Sequence, residues 1–113
     1  MKRQLFLASL VLGAVDAATM PAITAERSAE LENMLVQDCG SCHGLRFRGG
    51  LGPALLPENL EGKPREALII TILEGRAGTA MPPWKKLLNE QEAAWMTDRL
   101  LDNKAVTDRG NGI

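Results

Sequence analysis

The stretch Cys39-Gly40-Ser41-Cys42-His43 decides how the rest of this chain is read. It gathers both cysteines and the sole histidine of a 113-residue sequence into five positions. One histidine cannot serve a Cys2His2 zinc finger or a two-histidine metal centre. Two cysteines cannot build a disulfide-dense scaffold. A C-x-x-C redox dithiol belongs beside a βαβ pattern, and no such pattern is visible. A zinc site needs a fourth ligand beyond Cys39, Cys42 and His43; a carboxylate is chemically able to serve, yet none is spaced for it. A disulfide across two intervening residues is strained and leaves His43 without a role.

The remaining reading of C-x-x-C-H is a c-type haem attachment site. Two thiols separated by two residues at a helix end reach the two vinyl groups along one porphyrin edge and form thioethers. The histidine that follows is carried under the ring and supplies one axial nitrogen to the iron. With its only histidine used, the chain must find a second axial ligand among the methionines. Met1 is lost if the N-terminus is processed, and Met20 sits near the new terminus. Met34 and Met96 fall on apolar helical faces, where core filling is the plain reading. Met81 stands in a loop, ahead of Pro82 and Pro83, which fix φ and remove backbone donors, and behind Gly75 and Gly78. Met81 is therefore the expected ligand opposite His43, with one haem c as the cofactor.

The surroundings agree with an exported single domain. Lys2 and Arg3 precede an apolar run over residues 5–15, and Val15-Asp16-Ala17 offers compact residues at a cleavage site. This is the pattern of a secretory signal peptide over residues 1–17; the run is too short for a retained membrane span, which needs about 20 apolar residues. Residues 18–113 then form the mature domain, 96 residues with 11 basic and 13 acidic side chains once Lys2, Arg3 and Asp16 are gone. The whole chain carries 13 Lys and Arg against 14 Asp and Glu, which leaves no electrostatic footprint for nucleic acid. Aromatic residues are scarce, Phe6, Phe47, Trp84 and Trp95 with no tyrosine. A small core so short of large side chains needs another apolar group to fill it.

Helical spacing recurs along the mature chain, and strands are not expected. Thr24 or Ser28 can cap a first helix that runs to about Asp38 with Leu31, Met34 and Leu35 on one face. A glycine- and proline-rich loop follows over 45–57, and Pro57-Glu58-Asn59-Leu60 suits a single helical turn. Pro64 suits the first position of a helix over Arg65 to Glu74, stopped by Gly75. Ile69-Ile70-Thr71-Ile72 alone would also read as a strand, but the flanking Pro and Gly and the 3–4 spacing favour helix. Asn89-x-x-Glu92 resembles a capping box that opens a last helix to about Asp102, with Ala93, Met96 and Leu100 on one face. The tail over 103–113 is expected to fray.

Cys39-x-x-Cys42-His43, Gly52-Pro53 and Met81-Pro82, set between a first and a last helix, resemble a class I c-type cytochrome over nearly all of the mature chain. The resemblance implies an all-α fold of three to four helices wrapped around one covalent haem, with the first and last helices packed together through Leu31, Leu35, Met96 and Leu100. It also implies that the Pro53 carbonyl accepts a hydrogen bond from the second ring nitrogen of His43. The tyrosine that many members carry in the last helix is missing, which leaves Trp95 or Leu100 for that packing role. A finer similarity, in Leu45-x-x-x-Gly49-Gly50-Leu51-Gly52-Pro53-Ala54-Leu55 and Ile72-Leu73-x-Gly75-Arg76-x-Gly78-Thr79-x-Met81-Pro82-Pro83-Trp84, is to the NirC subgroup. These are small periplasmic cytochromes associated with cytochrome cd-type nitrite reductase.

A site with both axial positions filled is expected to carry electrons and to perform no substrate chemistry of its own. The partner implied by the resemblance is nitrite reductase in the periplasm, with the chain acting as a monomeric donor. The alternatives are a helper in maturing the haem d cofactor of that enzyme, or a carrier to another periplasmic oxidase or peroxidase. Trp84 is read either as a core aromatic or as a group that packs on the haem and bonds a propionate; Arg76 is a second candidate for a propionate. Arg46, Arg48, Lys85 and Lys86 flank the two site segments and are expected to ring the exposed haem edge and steer an acidic partner face. A cavity between His43 and Met81, lined by apolar side chains, is the structural expectation that follows.

Overall fold

A computed structural model describes residues 21–107. The expected signal peptide and its cleavage position lie outside the described residues, as do Met20 and residues 108–113. The described residues are helical and contain no strand. The first helical segment runs unbroken from α1 (Ala25–Met34) through a π turn (Leu35–Cys39) into α2 (Gly40–His43). Three further helices were legible in the sequence: α3 (Pro57–Leu60), α4 (Arg65–Glu74) and α5 (Glu90–Leu101).

Local chemistry sets these boundaries. Thr24 is the cap of α1, its hydroxyl accepting from the Arg27 N–H at 3.1 Å. Ser28 instead lies within the helix and donates to the Ala25 carbonyl. Pro64 is the residue before α4 and adopts extended backbone, one position earlier than expected. Asn89 and Glu92 form a complete capping box: Glu92 N–H donates to Asn89 Oδ1 at 2.8 Å, and Asn89 N–H donates to Glu92 Oε1 at 3.0 Å.

The tail departs from the expectation that it simply frays. A sixth helix, α6 (Lys104–Thr107), follows Asn103, which takes a positive φ of 57° to turn the chain. Ala105 is 1% exposed and Val106 packs against the same core, so burial of small apolar side chains holds this turn against the body.

α1 and α5 pack together, and Leu31, Leu35, Met96 and Leu100 are all buried in one core. Three ion pairs tie the helices from outside. Arg27 pairs with Glu92 and Arg99 with Glu32, both joining α1 to α5; Arg65 forks onto Asp98 at 2.7 and 2.9 Å, joining α4 to α5. The Arg99 guanidinium also lies 5.3 Å from the centroid of the Trp95 ring, a cation–π distance.

The π turn sets the phase of the chemistry. Gly40 N–H bonds to the Leu35 carbonyl, five residues back instead of four. An α-helix advances about 100° per residue, so the added residue turns α2 by about that angle relative to the Leu31/Leu35 face. Cys39, Cys42 and His43 thereby meet a space that is also lined by α4, α5 and the loops. π bulges commonly mark functional positions in helices.

Candidate haem site

The helix carrying the motif ends immediately after His43, where Gly44 takes φ 93°. The last carbonyls of a helix lack partners within it. Here they are satisfied by the glycine-rich loop, which doubles back. Gly49 N–H donates to the His43 carbonyl at 2.8 Å, and Gly52 N–H donates to the Cys42 carbonyl at 2.7 Å. Three of the glycines are required by space. A Cβ on Gly44 would lie 2.7 Å from the Gly49 carbonyl oxygen, one on Gly50 2.9 Å from the Cys42 carbonyl oxygen, and one on Gly52 2.8 and 2.9 Å from His43 ring atoms. Backbone and imidazole thus meet with no room for a methyl group between them.

This loop brings Pro53 to His43. Nδ1 of the ring lies 2.7 Å from the Pro53 carbonyl. A carbonyl can only accept, so Nδ1 carries the proton and the neutral ring presents an unprotonated Nε2. A hydrogen bond of this kind fixes the orientation of a metal-binding histidine and raises its basicity.

Phe47 is the centre of the same loop and was not singled out by sequence reasoning. It is 1% exposed with φ 56°, an uncommon conformation for a bulky residue. Its N–H reaches the Gly44 carbonyl, and its carbonyl accepts from Leu55 N–H. The loop is folded around an aromatic plug, and no local pattern in the sequence distinguishes that from an exposed Phe between two arginines.

On the other side stands the loop that carries Met81. Arg76 N–H donates to the Met81 carbonyl at 3.2 Å, closing residues 76–81 into a ring. Beyond it, Trp84 N–H and Lys85 N–H donate to the Ile72 and Leu73 carbonyls, both at 3.1 Å, so the end of α4 is capped by the methionine segment. Gly75 is needed at this crossing: its φ is 66°, and a Cβ would stand 2.6–2.7 Å from backbone atoms of 81–83.

Between the two loops lies one cavity of about 770 Å³, within the usual range for small-molecule and cofactor sites. Cys39, Cys42, His43, Pro53, Met81 and Trp84 all line it. Met34 and Met96 do not; Met96 is fully buried in the core and Met34 packs against it. Leu55, Leu60, Leu68, Ile72 and Leu100 give the walls their apolar character. The donor set fits a covalently held planar group: two thiols and an imidazole on one helix end, a thioether on the facing loop, and hydrocarbon around them.

The thiols themselves argue against the alternative chemistries. Cys39 and Cys42 are not bridged. Burial, with the Asp38 charge adding to it, pushes the Cys39 thiol up to about 11, whereas a dithiol oxidoreductase lowers it. Among the described residues, no group of three or more histidine, cysteine, aspartate or glutamate side chains converges as a metal site.

The charged residues divide between the cavity wall and its surroundings. Arg46, Arg48, Lys85 and Lys86 do not line the cavity, and Lys85 pairs with Glu74 at 2.9 Å. Lys63 and Arg76 do line it, with Asn59. Arg76 was a sequence candidate; Lys63, isolated between Gly62 and Pro64, gave no periodic signal. Among the described residues, no helix is long and apolar enough to cross a membrane.

Comparison with known proteins adds to this geometry. The family described as cytochrome c oxidase, cbb3-type, subunit III matches residues 24–98. Cytochrome c55X of Stutzerimonas stutzeri is 58% identical over 98 residues, covering 87% of this chain and 85% of the relative. Among solved structures, the c-type cytochrome NirC superposes with a TM-score of 0.71 at 57% identity, covering 73% of this chain and 96% of that one. A dihydro-heme d1 dehydrogenase of Pseudomonas aeruginosa is 41% identical over 63 residues, 55% of this chain but only 13% of the larger protein.

Proposed function

The chain belongs to the c-type cytochromes, in the group of cytochrome c55X and NirC, and holds haem c covalently; from that membership we propose that it is a periplasmic carrier of single electrons to nitrite reductase, with His43 and Met81 as the two axial ligands. One observation carries the ligand assignment. His43, with Nε2 left free, and Met81 line the same cavity, and neither Met34 nor Met96 does. Cys39 and Cys42 are the points of attachment at the end of α2.

When bound, the haem supplies reversible exchange of one electron between Fe(III) and Fe(II). The protein supplies its environment. Pro53 orients His43, the 76–81 ring presents the Met81 thioether, and the apolar walls exclude water. A thioether favours the reduced metal and raises the potential relative to a second nitrogen. With His43 and Met81 both holding the iron, no position would remain for a substrate, and the chain would act as a carrier. Lys63, Arg76 and Trp84 are among the groups on the cavity wall able to meet carboxylates. Residues 1–17 act as a cleaved export signal, leaving a monomeric domain of residues 18–113. The exposed cations Arg48 and Lys86 favour a partner with an acidic docking face.

An absorption spectrum tests the core of this reading. The native protein is expected to show a c-type α band when reduced and a weak far-red band when oxidised. Met81→Ala abolishes the far-red band and keeps the α band; survival of the far-red band would move the ligand to another methionine.

The similarity to a dihydro-heme d1 dehydrogenase favours a second reading, in which the electrons serve maturation of the nitrite reductase cofactor. A deletion strain separates the two. Nitrite reductase purified from it with a full haem complement supports the carrier role alone, and loss of its second haem supports the assembly role.

A further inference from the structure

The ring of residues 76–81 is held by more than its backbone. The Thr79 hydroxyl donates to the Arg76 carbonyl at 2.7 Å and stands 3.3 Å from the Met81 N–H, which donates to it. Thr79 N–H also donates to that Arg76 carbonyl, at 3.0 Å. One hydroxyl therefore bridges the first residue of the loop and the residue whose thioether faces the cavity. Thr79 lines the cavity as well.

The bridge matters because the loop has little else within it. Gly78 has φ 77°, and a Cβ there would meet nothing within 4 Å. Ala77 and Gly78 stand off the cavity and are exposed. Beyond the ring, the next backbone hydrogen bond comes at Trp84, whose N–H meets the end of α4. A segment with a permissive glycine and few buried contacts opens at low cost, and opening it withdraws Met81.

We propose that Thr79 is a positioning residue for the second axial ligand: its hydroxyl locks the 76–81 ring and so sets how readily the Met81 thioether leaves the iron. The proposal rests on Met81 being that ligand. It assigns Thr79 no contact with the iron, and it predicts that removing the hydroxyl loosens the ligand without unfolding the domain, because both hydroxyl bonds lie within residues 76–81 and neither ties the loop to a helix.

The test is displacement of the ligand by imidazole in the oxidised holoprotein, followed at the far-red band. Three variants are compared with wild type: Thr79→Val, Thr79→Ser and Met81→Ala. Thr79→Val keeps the branched shape and loses both hydrogen bonds. It is expected to bind imidazole about tenfold more tightly, the equilibrium weight of two ordinary hydrogen bonds in such a loop, and its far-red band is weaker at neutral pH. Thr79→Ser restores the wild-type imidazole affinity. An unchanged affinity in Thr79→Val overturns the proposal, as does a Thr79→Ser variant that is loosened equally. A far-red band that persists in Met81→Ala would instead overturn the ligand assignment, which keeps the two failures apart.

Discussion

A methyl group at position 52 has nowhere to go. Ala at that position would place its Cβ 2.8 Å from Cε1 and 2.9 Å from Nδ1 of His43, so ring or loop must shift. The first bond to suffer is the one from Nδ1–H to the Pro53 carbonyl. Gly52→Ala is predicted to cost about 1–3 kcal/mol in chemical denaturation of the holoprotein, the usual penalty of overpacking. It also raises the midpoint potential, because a weaker bond at Nδ1 makes the imidazole a poorer donor to Fe(III). Potentiometry checks the direction. At this scale much of the site was legible: the cysteines, His43, Gly52-Pro53 and Met81 all stand in recognisable spacing. Phe47, Lys63 and the Thr79 hydroxyl bridge did not show themselves in that way. Burial of an aromatic at positive φ, or the approach of a lysine to a cavity, depends on where remote segments lie.

Among the elements, one carboxylate at the contact of α1 with α5 has two duties. Oε1 of Glu92 closes the capping box of α5, while Oε2 takes the Arg27 guanidinium from α1. Arg27 also reaches Glu30 at 2.8 Å and the Leu87 carbonyl at 3.0 Å. The Arg27 charge and hydrogen bond hold the Glu92 carboxyl below its ordinary value. Because folding lowers this pKa, the unfolded chain binds the proton more tightly. The stabilisation is full above the ordinary glutamate range near pH 4.3, and it is lost as pH falls through the lower folded value. Glu92→Gln keeps a side chain that can cap and removes the charge. It is predicted to lose about 1–2 kcal/mol at neutral pH, between the values for exposed and buried pairs, and to show a shallower acid limb than wild type in urea titrations. The capping box was visible in the sequence because its partners are three residues apart. The pairing with Arg27 was not, since 65 residues separate the two. α4 illustrates the same division: its apolar spacing and the stop at Gly75 were readable, whereas its capping by Trp84 and Lys85 follows from tertiary placement.

For the molecule as a whole, the near balance of acidic and basic groups makes any long-range field weak, so steering must come from local clusters. Lys85 is engaged with Glu74, which leaves its contribution partly neutralised. Arg48 and Lys86 are exposed. If they guide docking, the rate of electron transfer to an acidic partner falls between about 0.01 M and about 0.15 M salt, as the screening length contracts from about 30 to about 8 Å. Lys86→Glu lowers that rate at low salt and matches wild type at high salt; a rate independent of salt in the native protein sinks the docking reading. The low aromatic content is also explained at this scale. The protein side chains leave a cavity of about 770 Å³ with apolar walls, and the haem is the group that completes the core.

The π turn at Leu35–Cys39 has a consequence for how sequences of this kind can vary. At its start, Leu35 answers to the core; at its end, Cys39 answers to the cofactor. The three residues between act as a phase counter, and what they encode is a number more than an identity. Substitution of the exposed Gln37 leaves the count intact. Gain or loss of one residue there turns the whole attachment motif by about 100°, so the spacer is free in spelling and fixed in length.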